Sequence, residues 1–409
     1  MTEINEHLLI RPDWKNPILY RRKWQTGISS ALDGNEVRSA LLTWPRRTLA
    51  YSILSKGFAE SSYIRRKMHK NLHNVWGVPF WQDKTVLTSQ ASSGQNILNI
   101  KSTVDRNFEV GGSCILLSPN DLSLYDAGVI VAGGLSPSQI TLEEDLAHTW
   151  PPYTEVYPVL KARIKTGQTL NVITSRMVET GIEAVEEYDD GIVRNIGDAD
   201  SFPDYKGFYV FDRTPNLKDG GQKFFHPYDS LFFLGKSYSM SHYIETALGL
   251  QANHLAPDKS EIQSILDFFD YQMARLGSFW IPTWQEDLRV TQAFGAGATT
   301  LEIESVEFYD YWLGTKTGMH AVFMWPGEAP IYKEIVDSSH PMTDPATITL
   351  DEPIGRACSS QELPRLLASF LLFCRFDHDE IEVKYVTDMI GETDLSFRTI
   401  LDEVPMGES

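Results

Sequence analysis

The sequence predicts a mainly β protein with α+β elements, built as two tandem related domains, each an antiparallel β-barrel or sandwich carrying one amphipathic helix. Three observations carry that expectation. First, a segment recurs: Pro79 to Ser102 (PFWQDKTVLTSQASSGQNILNIKS) aligns without a gap on Pro282 to Ser305 (PTWQEDLRVTQAFGAGATTLEIES). Pro79/Pro282, Trp81/Trp284, Gln82/Gln285, Thr88/Thr291, Gly94/Gly297, Leu98/Leu301, Ile100/Ile303 and Ser102/Ser305 are identical, too close a match for shared turn composition. Second, 10 Trp, 17 Tyr and 20 Phe stand beside 21 Pro and 28 Gly, a mixture that suits strands and turns better than a helical bundle. Third, apolar residues alternate with polar ones at Leu98/Ile100 and Leu301/Ile303, the period of half-buried strands.

Taken in order, residues 1–20 read as an arm, with Pro12 and Pro17 and no periodicity. Such arms either fray or dock on a neighbouring subunit. Copy 1 is expected over 21–188 and copy 2 over 230–409, separated by a connector or protruding loop at 189–229 rich in Asp, Gly and Pro (NIGDAD, TPNLKDGGQ, HPYDS). Further anchors keep the same order in both copies: Ile140 to Glu144 (ITLEE) with Ile348 to Glu352 (ITLDE), then Thr174 to Ile182 with Thr387 to Leu395. Ile64, Met68, Leu72 and Val75 form one helical stripe, with Ser61 or Ser62 as its cap. Ile262, Ile265, Phe269, Met273 and Leu276 form the other. Cys114 to Leu117, Val129 to Val131, His320 to Met324, Ile381 to Tyr385 and Leu395 to Phe397 read as strands.

With 409 residues, two domains fit the length. The formal charge of −19 disfavours a surface built to grip phosphate backbones. Cys114, Cys358 and Cys374 are too few and too scattered for a disulfide framework or a four-ligand zinc site, and read as reduced thiols. The start, MTEINEHLLIRPDW, has no signal-peptide pattern, so no export is expected; the longest late apolar run, Leu366 to Cys374, is too short to span a bilayer.

Catalytic chemistry is sought and not found. Neither G-x-x-x-x-G-K-[ST], nor G-x-G-x-x-G after a strand, nor G-x-S-x-G occurs. His69 and His73 share a helix face without a third ligand, and Asp377-His378-Asp379-Glu380 reads as a charged hairpin tip rather than a cation loop. Glu143/Glu144 and Asp351/Glu352, adjacent on a strand, point to opposite faces and make poor acid/base pairs. No catalytic, cofactor or metal residues are expected. Trp76, Trp81, Trp280 and Trp284 are the interface or packing candidates, with sugar stacking as the competing use.

An amphipathic helix, an aromatic-Pro-aromatic turn and following strands occur at Tyr63 to Asp83, ending WGVPFWQD, and at Ile265 to Glu286, ending FWIPTWQE; the chain closes with CRFDHDEIEVKYVTDMIGETDLSF. This pattern resembles the distal tail and minor tail proteins of long-tailed, siphovirus-like bacteriophages, here with the domain duplicated. The resemblance implies a non-enzymatic virion protein of the tail tip or baseplate, assembled in the host cytoplasm. It further implies a homo-oligomeric ring, trimer or hexamer, that joins the tail tube protein to the hub and fibre proteins and lets DNA pass without specific binding. Three chains of two units would match a sixfold tube to a threefold tip. Acidic channel walls would then keep the duplex from sticking. A carbohydrate-binding host-recognition protein is the alternative.

Overall fold

A computed structural model describes residues 3–31, 35–118, 121–188, 192, 200–233, 235–241, 243, 245–304, 307–339 and 346–405. Copy 1 contains β1 (Glu6–His7), β2 (Ile18–Lys23), β3 (Thr26–Ser30), β4 (Glu36–Ala40), β5 (Arg46–Leu54), α1 (Phe58–Asn71), β6 (Trp76–Pro79), β7 (Thr85–Val86), β8 (Ile97–Asn99), β9 (Ser113–Leu117), β10 (Tyr125–Ser136), β11 (Gln139–Leu142), β12 (Glu155–Ile164), β13 (Asn171–Thr174) and β14 (Met177–Glu186). A short hairpin, β15 (Asp204–Tyr205) and β16 (Phe208–Tyr209), follows. Copy 2 contains β17 (Asn216–Phe225), β18 (Asp229–Phe233), β19 (Lys236–Met240), β20 (Ala247–Ala256), α2 (Lys259–Tyr271), β21 (Phe279–Pro282), β22 (Thr300–Ile303), α3 (Phe308–Tyr311), β23 (His320–Met324), β24 (Ile331–Ser338), β25 (Ala346–Leu350), β26 (Leu367–Phe376), β27 (Glu380–Tyr385) and β28 (Gly391–Thr399).

The same pairing scheme appears twice. In copy 1 the long strand β12 pairs with β6, β9 and β14; β14 pairs with β13 and β5, and β5 with β2. In copy 2, β26 pairs with β21, β23 and β28; β28 pairs with β27 and β20, and β20 with β17. The β8–β11–β10–β9 run recurs as β22–β25–β24–β23. Each long strand hands its edge from one partner sheet to another, so the sheets stay open and antiparallel. The barrel alternative is not realised among the described residues.

The units are not separate bodies. Strand β2 of copy 1 pairs along its second edge with β27 of copy 2, from Ile18 opposite Tyr385 to Lys23 opposite Glu380. One sheet therefore runs β17–β20–β28–β27–β2–β5–β14, and one apolar core extends from Tyr20, Ile64 and Trp76 to Phe268, Phe279 and Leu395.

Four expectations need correcting. The 1–20 arm packs on its own chain: β1 lies parallel to β6, Leu8, Leu9 and Ile10 are buried, and the Tyr63 hydroxyl donates to the His7 carbonyl. Gly77 makes this approach possible, since a Cβ there would come within 2.5 Å of the His7 ring. Copy 1 begins at Ile18, inside that arm. The 189–229 connector already belongs in part to copy 2, because Phe202, Val210 and Phe211 are buried and β17 pairs with β20; NIGDAD lies largely outside the described residues. Its Asp and Gly content masked those apolar residues.

Helix α1 starts at Gly57 rather than at Ser61 or Ser62; Gly57 has φ +101, a left-handed conformation that favours glycine, and Ser61 is buried inside the helix. Helix α2 ends at Tyr271, so Met273 and Leu276 continue the stripe outside it, Met273 with φ 49. Asp258 caps α2 by accepting from the Glu261 N–H at 2.9 Å. Asp258→Ala should lower the stability of the chain by about 1 kcal/mol, measurable by chemical denaturation.

Candidate functional site

The seam between the two copies holds most of the buried charge that joins distant parts of the chain. It begins with the alternation of β2: Ile18, Tyr20 and Arg22 face inward and Leu19, Arg21 and Lys23 do not. Arg22 is thereby carried into the core, where its guanidinium meets the Asp270 carboxylate near the end of α2. The Arg22 Nε donates to the Tyr20 hydroxyl at 3.0 Å, and the Trp24 indole donates to the other Asp270 oxygen at 2.8 Å. Burial opposes the charge on Arg22, but Tyr20 and Asp270 outweigh it and its pKa rises.

Further pairs cross the seam, three of them with a buried cation. Lys259, the first residue of α2, donates to Asp83 of copy 1 at 2.7 Å, with both groups buried. The β3–β4 hairpin reaches over copy 2, where Glu36 accepts from Arg375 Nε and Nη2 at 2.8 and 2.9 Å. Burial works against the Glu36 carboxylate, yet the Arg375 hydrogen bonds hold its pKa below the ordinary value. From the same hairpin, Arg38 pairs with Glu403 and donates to the Ser278 hydroxyl. Asp379 completes the latch, accepting from Thr26 N–H through its carboxylate and from Trp24 N–H through its carbonyl. The segment around His378 is thus a clasp on copy 1 rather than a free hairpin tip.

All four tryptophan candidates are packed. Trp76 and Trp280 are fully buried and donate to the carbonyls of Asn71 and Tyr205, each at 3.0 Å. Trp81 lies edge-on to Tyr157 with centroids 5.1 Å apart, and Trp284 lies edge-on to His254. At 5% exposure or less, none of the four offers an indole face on which a sugar could stack. His69 and His73 are exposed, and among the described residues no cluster of three or more His, Cys, Asp or Glu is placed to hold a metal ion. Glu143/Glu144 and Asp351/Glu352 fall in the turns just after β11 and β25, where Asp351 accepts from the Glu334 and Glu352 N–H groups. No helix among the described residues is long and apolar enough to cross a membrane.

The seam residues were not singled out by motif reasoning. Two signals point to them: a cation at an inward position of an alternating strand (Arg22), and an Arg inside an apolar run (Arg375 in LLASFLLFCRF). No protein-family model and no curated protein matches the chain.

Proposed function

We propose that the chain is a non-enzymatic structural subunit of a ring at the tip of a long-tailed phage tail, joining the tail tube to the hub and fibre proteins around a passage for DNA. One observation carries the reading: two copies of one unit stand side by side, joined by heterologous edge-to-edge strand pairing rather than face to face. Heterologous contacts, repeated, close into rings when the rotation allows. The chain then contributes two adjacent segments of such a ring, and three chains make six. A packed core with buried aromatics and ion pairs suits a load-bearing adaptor. The excess of acidic residues belongs on the channel wall, where it repels the passing phosphates.

The test is the mass and shape of the purified full-length chain, alone and with tail tube protein. The expected outcome is a closed ring of three chains with an opening wide enough for duplex DNA, present in tail particles. A chain that remains a monomer and never joins a tail overturns the reading.

A further inference from the structure

The duplication allows the observed seam to be compared with its missing counterpart. Strand pairing fixes the correspondence: Ile53 opposite Thr180 matches His254 opposite Thr393, and Leu19 opposite Ala50 matches Gly221 opposite Gln251. Strand β2 thus corresponds to β17, β27 to β13, and the β3–β4 hairpin to β18–β19. Yet β2 has two strand neighbours, while β17 pairs only with β20 among the described residues. Likewise β27 is held on both edges, while among the described residues β13 pairs only with β14 and is exposed at all four residues. One chain therefore carries one filled seam and two complementary open edges.

The side chains agree. Three positions buried in the filled seam are occupied at the open edges by exposed apolar groups. Buried Arg22 corresponds to Phe224, 64% exposed; buried Lys259 to Phe58, 72% exposed; buried Tyr385 to Val172, 64% exposed. Asp270, which receives Arg22, corresponds to His69, so a phenyl ring replaces the guanidinium where a cation would face an imidazole. The β18–β19 hairpin projects with Leu231, Phe232 and Tyr238 exposed, whereas its counterpart rests on copy 2 through Glu36 and Arg375. Arg375 in turn corresponds to Arg163, which is half exposed and lines an open groove of about 540 Å³ on copy 1. Isolated large apolar groups on a surface are ordinary, but here they gather on matched edges with unpaired backbone.

We propose that successive chains join by repeating the internal seam: β17 of one chain pairs antiparallel with β13 of a second copy, and its β18–β19 hairpin settles into the Arg163 groove of that copy. The register is inherited. Leu19 opposite Lys384 and Tyr20 opposite Val383 translate to Gly221 opposite Asn171 and Gln222 opposite Leu170 of the next chain. This deepens the ring reading and rests on it, and it names the surface by which the ring closes.

Two double variants of the full chain, G221C/N171C and Q222C/L170C, test it. Adjacent antiparallel pairs alternate between wide and narrow spacing, so one variant falls at the spacing a disulfide needs. Because Cys114, Cys358 and Cys374 are buried, the unmodified chain is the control for oxidation with diamide. The expected result is a chain-to-chain ladder ending at the ring's own size for at least one variant and none for the control. Separately, Phe224→Glu should raise the concentration for half-assembly about tenfold or more while leaving the unfolding temperature of the unassembled chain unchanged. Rings that form without cross-links from either variant overturn the proposed edge and leave the ring standing. A monomer under all conditions overturns both.

Discussion

Asp270→Ala is expected to destabilise the protein by about 3–5 kcal/mol, because it strands a buried guanidinium rather than removing a surface pair. Arg22 would keep the Tyr20 hydroxyl and the weaker attraction of Asp267, and the Trp24 indole N–H would lose its acceptor. Denaturant midpoints with an unchanged slope would measure the loss. The partner experiment distinguishes charge from packing: Arg22→Met combined with Asp270→Leu removes both charges, and should recover most of the stability that the single change loses. If the double variant is as unstable as the sum of the singles, the pair is not what holds the seam.

Acidification should be the second large effect. His7, His254 and His320 all have pKa values lowered to about 4. Burial is the first cause in each; Lys67 adds to it at His7 against Glu6, and Lys206 adds to it at His320 against Asp351. His254 sits among the rings of Phe211 and Trp284, and the His320 Nδ1 faces the Tyr205 hydroxyl at 3.1 Å. An unfolded imidazole takes up its proton near pH 6.5, the folded ones near 4, so the unfolded state binds more protons in between. Their stabilisation is complete above pH 6.5 and is lost as the pH falls through that window, at up to about 1.4 kcal/mol per pH unit for each. Asp267 works the other way: burial raises its pKa to about 6, so the folded state keeps a proton there that the unfolded chain releases, and stability from this group grows on acidification. Burial also raises Asp212, Asp287 and Asp402, while hydrogen bonds hold Glu36, Glu362 and Asp394 down and so add to the loss on acidification; with the three histidines these leave a net fall between pH 6 and 4. Unfolding temperatures across that range should show it, and His254→Gln should flatten the slope by one histidine's share.

Much of the local architecture was legible in the sequence because it rests on local periodicity. His320 to Met324 is a strand with the expected ends, and Leu98, Ile100, Leu301 and Ile303 are buried as their alternation requires. The recurrence of Pro79 to Ser102 at Pro282 to Ser305 falls on strands, β8 and β22, that pair alike in the two halves. Elements set by distant partners were not legible: the hairpin at Thr26–Ala40 has an ordinary polar sequence and is held by Arg375 and Glu403. Charge in the interior also misleads, since Arg22, Lys259 and Asp83 look like surface residues until their partners from the other copy are in place. Of the seam, the sequence carries two traces, a cation at an inward position of β2 and Arg375 inside an apolar run; the tryptophans drew attention by rarity and are packed in the core.

The seam also sets an order of events. Strand β2 is made well before β27, with the Arg21–Glu382 bond closing over 361 residues. Until β27 emerges, β2 keeps a bare edge like that of β17. In the proposed ring, a nascent chain therefore offers its neighbours two alike edges instead of one. Pairing with β27 of the same chain fills that edge and removes the ambiguity, at an effective concentration no separate molecule matches. In the proposed ring, covalent linkage of the two units thus acts as a proofreading step, leaving β17 as the open edge once β27 is in place.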